Sequence, residues 1–378
     1  MRFLPIVVLS IPLYLNAQNF HIKGPGVAAR SLGGAFIALA EDPTAVFWNP
    51  AGVAQKRGYE VYISRVYESY QITSNIKDFY TNAYNSNHPK DLFIGFKIPL
   101  FKINNINLIG SFSFYELIDF YHSYKTTEFS EAQLGGINSI TINFAYPYSD
   151  NLFLGMNYNL LFGERFLKFR DFSEESFGGN KDEKYDYWSP ISLGIGLLYK
   201  YKNDFRIGIK IASPGILTEK SHSYRATINM PWIIGFGVAY NFSNDLIYSA
   251  DLGWCECRKF VREFKKPFEY YQEGDKQQIG YKNTFQTRLG AQYFFKISRL
   301  RIPIRVGVGT DPKMYIDGEN KQISGAFFSV GVGFEFDSFS IDFGFEFNRT
   351  PYKIKGQGGY NENFELYMLS IKLKKASF

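Results

Sequence analysis

The sequence predicts an all-β fold: a transmembrane antiparallel β-barrel of about fourteen strands with a small N-terminal helical hatch in its lumen. Three observations carry this expectation. Aromatic residues make up 19% of the 378 residues, Gly occurs 34 times and Cys only twice, a composition that favours strands over helices. Segment after segment alternates large apolar with small or polar residues, the period of a strand. The connections between these segments alternate short and long along the chain, which places all short turns at one end and all long loops at the other.

The chain opens with "MRFLPIVVLSIPLYLNAQ", a basic residue, an apolar run and a short polar end. This is the layout of a secretory signal peptide, expected over 1–17. The run is shorter than the roughly 20 residues that a spanning helix needs. Residues 18–57 follow as the expected hatch, and 58–378 as the barrel, in the bacterial outer membrane.

Within the hatch, Gly33 and Gly34 begin a segment rich in small residues. Asp42 suits an N-cap, with Pro43 at the first helical position. Trp48 closes that turn. Asn49-Pro50 breaks the helix, and Pro50-Ala51-Gly52 can start a second short one. A barrel of this size has a lumen too wide for its own side chains to fill, so it is open or plugged. Thin, small-residue helices suit a plug among the lumen-facing glycines Gly194, Gly196, Gly235, Gly237, Gly331 and Gly333.

Strands are expected at 59–73, 91–100, 106–120, 135–149, 151–165, 188–201, 203–212, 232–243, 244–257, 283–296, 299–310, 325–337, 338–349 and 362–374. "AFFSVGVGFEF" (326–336) is typical: Phe328, Val330, Val332, Phe334 and Phe336 share one face, and Ser329, Gly331, Gly333 and Glu335 the other. Alternation alone fits a soluble sandwich as well as a barrel; the ordered connections decide for the barrel. Short turns fall at 101–105, 148–151, 202–204, 242–245, 296–299 and 335–338, built from Asn, Asp, Ser and Lys. Long loops fall at 74–90, 121–134, 166–187, 213–231, 258–282, 311–324 and 350–361. Tyr146, Tyr148, Tyr199, Tyr201, Tyr240 and Phe242 beside short turns, and Trp188, Trp232, Trp254 and Tyr121 near long loops, suit two interfacial girdles. The terminal Phe378 suits an outer-membrane assembly signal.

The stretch 33–54, "GGAFIALAEDPTAVFWNPAGVA", together with "MPWIIGFGVAYNFSNDLIYSADLGW" (230–254) and "FQTRLGAQYFF" (285–295), resembles the FadL family of outer-membrane transporters. That resemblance covers nearly the whole mature chain. It implies a hatch-plugged barrel for passive uptake of hydrophobic small molecules such as long-chain fatty acids or aromatic hydrocarbons. The related PorV/PorQ group shares the N-terminal signature. It implies the alternative of a barrel that binds secreted proteins or secretion-machine components.

Several motifs point elsewhere and are set aside. The G-x-G pairs lack the following helix and third Gly of a phosphate site. The net charge of +6 is scattered without a basic block, so no nucleic-acid partner is expected. The four His lack metal spacing, no nucleophile–base pair is evident, and neither an enzyme nor a cofactor is expected. Cys255 and Cys257 would project to one strand face, an awkward geometry for a disulfide, and stay unassigned. Lys97, Arg206, Lys210, Asp251, Arg288, Arg301, Arg305, Asp342 and Glu346 alternate toward the lumen. They would pair with one another, or hold a carboxylate substrate or the hatch. Aromatics in 166–187 and 258–282, among them Phe166, Phe172, Phe260, Phe264, Phe268 and Tyr271, would form an apolar landing site or pack the loops together.

Overall fold

The computed structural model describes residues 24–74, 84–103, 106–125, 129–172, 180–202, 204–213, 215–223, 225–266, 271–317, 319–354 and 358–375. The expected signal peptide and Phe378 lie outside them. Nineteen strands, numbered in chain order, make one continuous antiparallel sheet. Fourteen close the barrel: β1 Tyr59–Ser74, β2 Tyr84–Ile103, β3 Ile106–Asp119, β5 Phe129–Pro147, β6 Leu152–Asp171, β7 Lys181–Tyr201, β8 Phe205–Ala212, β11 Ile233–Asn241, β12 Leu246–Cys255, β15 Thr284–Ile297, β16 Leu300–Ile316, β17 Gln322–Glu335, β18 Phe339–Ile354 and β19 Gly358–Lys375. The first and last pair along their whole length, from Tyr59↔Lys375 to Ser74↔Tyr360. Closure leaves no edge strand, the condition a sheet must meet to sit in hydrocarbon.

The side chains are inverted relative to a soluble sheet. Leu252, Val308, Phe328 and Phe343 are exposed, whereas Ser249, Asp251, Ser329 and Asp342 are buried. This is the pattern of a barrel with lipid outside and a polar lumen. No helix among the described residues is long and apolar enough to cross a membrane.

All fourteen expected strands have counterparts, but those around the long loops run further than the alternation suggests. The β6–β7 ladder continues to Phe169↔Lys181, and β2 begins at Tyr84 rather than at 91. Above the lipid, ladder bonds persist while both faces become polar, so the period-2 signal fades before the pairing does. His88 therefore lies on β2 rather than in a loop. Tyr121, expected in a girdle, instead stacks on His88 with ring centroids 3.7 Å apart.

Five short strands build on the long-loop end: β4 His122–Lys125, β9 Ile216–Lys220, β10 Arg225–Asn229, β13 Val261–Phe264 and β14 Lys276–Gln278. The order β7-β9-β10-β13-β14 is continuous. It forms a cap whose Leu217, Ile228, Phe260 and Phe264 share one apolar cluster with the wall residues Ile118, Ile137 and Leu161. Tyr271 stacks on Phe264 at 4.3 Å. These loop aromatics are packed inside the cap, while Phe166 and Phe172 stay exposed; Phe268 lies outside the described residues.

Cys255 and Cys257 are joined in a disulfide with a Cα–Cα distance of 5.2 Å. The expected single-face geometry fails because β12 ends at Cys255. Glu256 leaves the strand with φ −78 and ψ 50, and a 3₁₀ turn starts at Cys257, so the two residues no longer share a pleat.

Residues 24–58 pack against inward faces around the barrel. They comprise α1 (Val27–Ser31), α2 (Ala45–Trp48) and a 3₁₀ helix (Pro50–Gln55). Gly33 and Gly34 carry the chain out of α1 with φ of 65° and 72°, values that favour Gly. Wall glycines admit this backbone: a Cβ on Gly307 would lie 2.0 Å from the Gly33 nitrogen. Gly307→Leu should therefore displace the segment and raise solute leakage in liposome swelling. Gly253→Ala, whose Cβ would meet nothing closer than 3.6 Å, should leave leakage unchanged.

Candidate functional site

Between the N-terminal segment and the cap lies a cavity of about 210 Å³. Ile37, Val46, Phe47 and Pro50 form its floor, and Met230, Phe260 and Met314 line its outer end. Tyr115, Leu117, Ile195, Ile211 and Ile234 add apolar wall, and Lys210, Asp251, Arg288 and Lys313 are its charged members, the last paired with Asp311 at 2.7 Å.

The floor is shaped by local sequence. Asp42 Oδ1 accepts from the Thr44 N–H at 2.9 Å and from its hydroxyl at 2.6 Å, but the N-cap of α2 is Thr44 rather than the expected Asp42. The first turn is tight, with the Ala45 N–H donating to the Asp42 carbonyl, so the regular helix begins only at Ala45. Trp48 is buried, and its indole N–H donates to the Pro25 carbonyl at 2.8 Å. Asn49 ends α2 in an extended conformation and caps the next helix, accepting from the Ala51 N–H at 3.2 Å with Pro50 at its first position. Its amide also donates to the Ile37 carbonyl at 2.9 Å and to the Leu197 carbonyl of β7 at 3.0 Å. Gly52 sits against Ala40, whose carbonyl oxygen would be 2.1 Å from a Cβ.

Polar wall residues grip this segment from many sides. Asp251 Oδ2 accepts from the Phe36 and Ile37 N–H groups at 2.8 and 2.9 Å. Lys210 donates to the Phe47 carbonyl at 3.0 Å and lies 4.5 Å from that ring's centre. Arg288 lies 5.5 Å from the Trp48 ring, and Lys97 donates to the Glu41 carbonyl at 3.1 Å while pairing with Glu60 at 2.8 Å. Glu346 reaches Arg30 of α1 at 3.4 Å.

The other lumen candidates behave differently. Arg305 pairs with Asp342 at 2.6 Å, away from the cavity, and Arg301 stands at the short-turn end 3.8 Å from Glu335. Arg206 lies opposite Lys200 near the short turns. Of the lumen glycines, Gly196, Gly235, Gly237 and Gly331 touch the N-terminal segment, whereas Gly194 and Gly333 meet only wall side chains.

Other contacts were not singled out in the sequence. Arg30 also pairs with Asp91 at 2.6 Å, where a bulge gives Asp91 a φ of 49°. Burial works against the Arg30 charge, but Glu346 and Asp91 outweigh it and hold the guanidinium above its ordinary pKa. Asn143 donates to the Pro50 carbonyl at 3.3 Å, Asn157 to the Val46 carbonyl, and the Ser329 hydroxyl accepts from the Gly33 N–H at 3.0 Å. Their inward position in the alternation was the available signal.

At the outer end, Glu219 is fully buried between two arginines. Arg262 Nε donates to it at 2.9 Å, and Arg165 of β6 lies 3.6 Å away. Arg165 also sits 4.2 Å from the Tyr185 ring centre. This cluster fastens the cap to the wall. Glu219→Ala removes the carboxylate shared by two buried guanidiniums, and losing one partner of a buried pair costs about 3–5 kcal/mol. Faster hydrogen exchange confined to 216–229 and 261–278 is the expected result.

No protein-family model and no curated protein matches the chain. Solved structures do. A FadL homologue from Pseudomonas aeruginosa superposes with a TM-score of 0.72 at 14% identity, covering 94% of this chain and 99% of that one. The Ralstonia pickettii toluene transporter TbuX gives 0.62 at 15%, covering 94% and 99%. The Pseudomonas putida toluene transporter TodX gives 0.63 at 12%, covering 95% and 100%. At these identities the likeness is one of fold: the chain shares the FadL-type barrel.

Proposed function

We propose that the chain is an outer-membrane channel for passive uptake of hydrophobic small molecules, with a carboxylate-headed amphiphile such as a long-chain fatty acid as its cargo. The observation that carries this reading is the chemistry of the cavity. Its walls are mostly apolar, and its charged members are three cations and one carboxylate. Asp251 is already engaged with the segment's backbone through one oxygen and Lys313 is paired with Asp311, which leaves Lys210 and Arg288 to meet an incoming anion. A carboxylate leaving water must gain such partners, and an alkyl tail gains about 25 cal/mol per Å² buried against the wall. Residues 18–57 act as the plug beneath the cargo, and their displacement opens the way out.

The N-terminal signature alone also suits a barrel that holds secreted proteins. Phe260 and Phe264 are buried within the cap rather than displayed, which weighs against that second reading. The test is to purify the protein into phosphatidylcholine nanodiscs and identify what co-purifies by mass spectrometry. Long-chain carboxylic acids are expected. Their absence, with equal uptake of labelled fatty acid in cells with and without the gene, would overturn the proposal.

A further inference from the structure

The lumen face of β8 reads Arg206, Gly208, Lys210, and the N-terminal segment crosses it at the middle residue. Lys210 faces the cavity. A Cβ on Gly208 would lie 2.6 Å from the Ile37 carbonyl oxygen. Arg206 emerges on the short-turn side, about 13 Å from Lys210 along the strand. On neighbouring β7, Lys200 stands directly opposite Arg206, and Gly196 opposite Lys210. A Cβ on Gly196 would lie 2.2 Å from Asn49 Oδ1. The backbone thus passes between cations on its two sides, at the point where Asn49 bridges the Ile37 and Leu197 carbonyls.

Opposed like charges on one sheet face repel. Among the described residues neither Lys200 nor Arg206 forms an ion pair. Glu41, the carboxylate that acts on both, is tied to Lys56 at 2.5 Å. Lys200 Nζ also lies 4.7 Å from the centre of the Phe153 ring, so the cation stands beside an apolar surface. An anion would relieve the repulsion. Lys374, on β19 at the same end, is in register with Glu60 and lies near Glu335 as well as Lys372 and Lys56, and so already has carboxylates beside it.

We infer that Lys200 and Arg206 form a second anion subsite on the short-turn side of the hatch, receiving the carboxylate of the amphiphile after it passes Asn49. The inference rests on the cargo proposed above and adds to it the location of the exit. Lys210 and Arg206 are then successive stations on one strand, with Gly208 and Gly196 leaving room for the hatch between them.

Lysine acetylation followed by mass spectrometry reads this subsite separately from transport. The full barrel in phosphatidylcholine nanodiscs is treated with a limiting acetylating reagent, with dodecanoate, dodecanol or neither. Dodecanoate should slow acetylation of Lys200 several-fold and leave Lys374 unchanged, dodecanol should leave both unchanged, and Arg206→Gln should abolish the protection while the barrel keeps its heat-modifiable migration. No protection of Lys200, or equal protection by the alcohol, overturns the subsite. Protection in a protein whose deletion leaves cellular uptake unchanged would support the subsite and refute the transport reading.

Discussion

Deleting residues 18–54 should turn a barrel that holds back small sugars into one that passes them at porin-like rates in liposome swelling. Fourteen strands enclose more space than wall side chains can fill, and the cross-section at the level of Asp251 is occupied by the segment's own backbone. Gly155, Gly196, Gly208, Gly290 and Gly307 have no room even for a Cβ because that backbone lies against them. The barrel should survive the deletion, since its closing ladder from Tyr59↔Lys375 upward lies outside the deleted stretch. The deletion does hydrate wall residues such as Phe93, Ile109 and Leu198 that now pack in one cluster with the segment, so a lowered melting temperature should accompany the leak. Asn49→Ala is the milder test. It removes the donor to the Ile37 and Leu197 carbonyls and the cap on the 3₁₀ helix, and should leak less than the deletion but more than the parent. A deleted barrel that migrates normally and leaks no more than the parent would rule out the plug.

The barrel was legible in the sequence because lipid imposes a strict rule on one strand face. Leu252 and Phe328 had to be apolar, and their neighbours Asp251 and Ser329 did not. The same rule explains what could not be read. Above the lipid no apolar face is required, so the extensions of β6 and β7, and the cap strands β9, β10, β13 and β14, look like polar loops. Their pairing is long-range, and the buried triad Arg165–Glu219–Arg262 that secures them is drawn from three separate segments. Lumen residues were identifiable by parity, but their partners were not. Arg305 and Asp342 pair with each other, while Asp251 turns to the backbone of residues 36 and 37. Parity also placed Tyr121 near the loop end without revealing that His88 would take up its ring.

Parity likewise could not say that Lys210 and Arg288, from strands β8 and β15, converge on one cavity, and this convergence makes the second large expectation. Lys210→Met with Arg288→Met should lower uptake of hexadecanoate by at least about a hundredfold, given roughly 1.5–3 kcal/mol for each of two hydrogen bonds to a charged group. Hexadecanol has the same tail and no charge, so its uptake should change little. The ratio of acid to alcohol is the informative quantity, because both cations also touch the hatch. Lys210 holds the Phe47 carbonyl and Arg288 packs on Trp48, so their loss alone loosens the floor. A loosened floor would alter both ligands together and leave the ratio where it was. Lys210→Arg, which keeps a donor and a charge near the cavity, should restore much of the ratio when paired with the native Arg288. Equal changes for acid and alcohol would reduce Lys210 and Arg288 to fasteners of the hatch. An unchanged rate for both would place the carboxylate elsewhere in the lumen and remove the basis for a cargo with an anionic head.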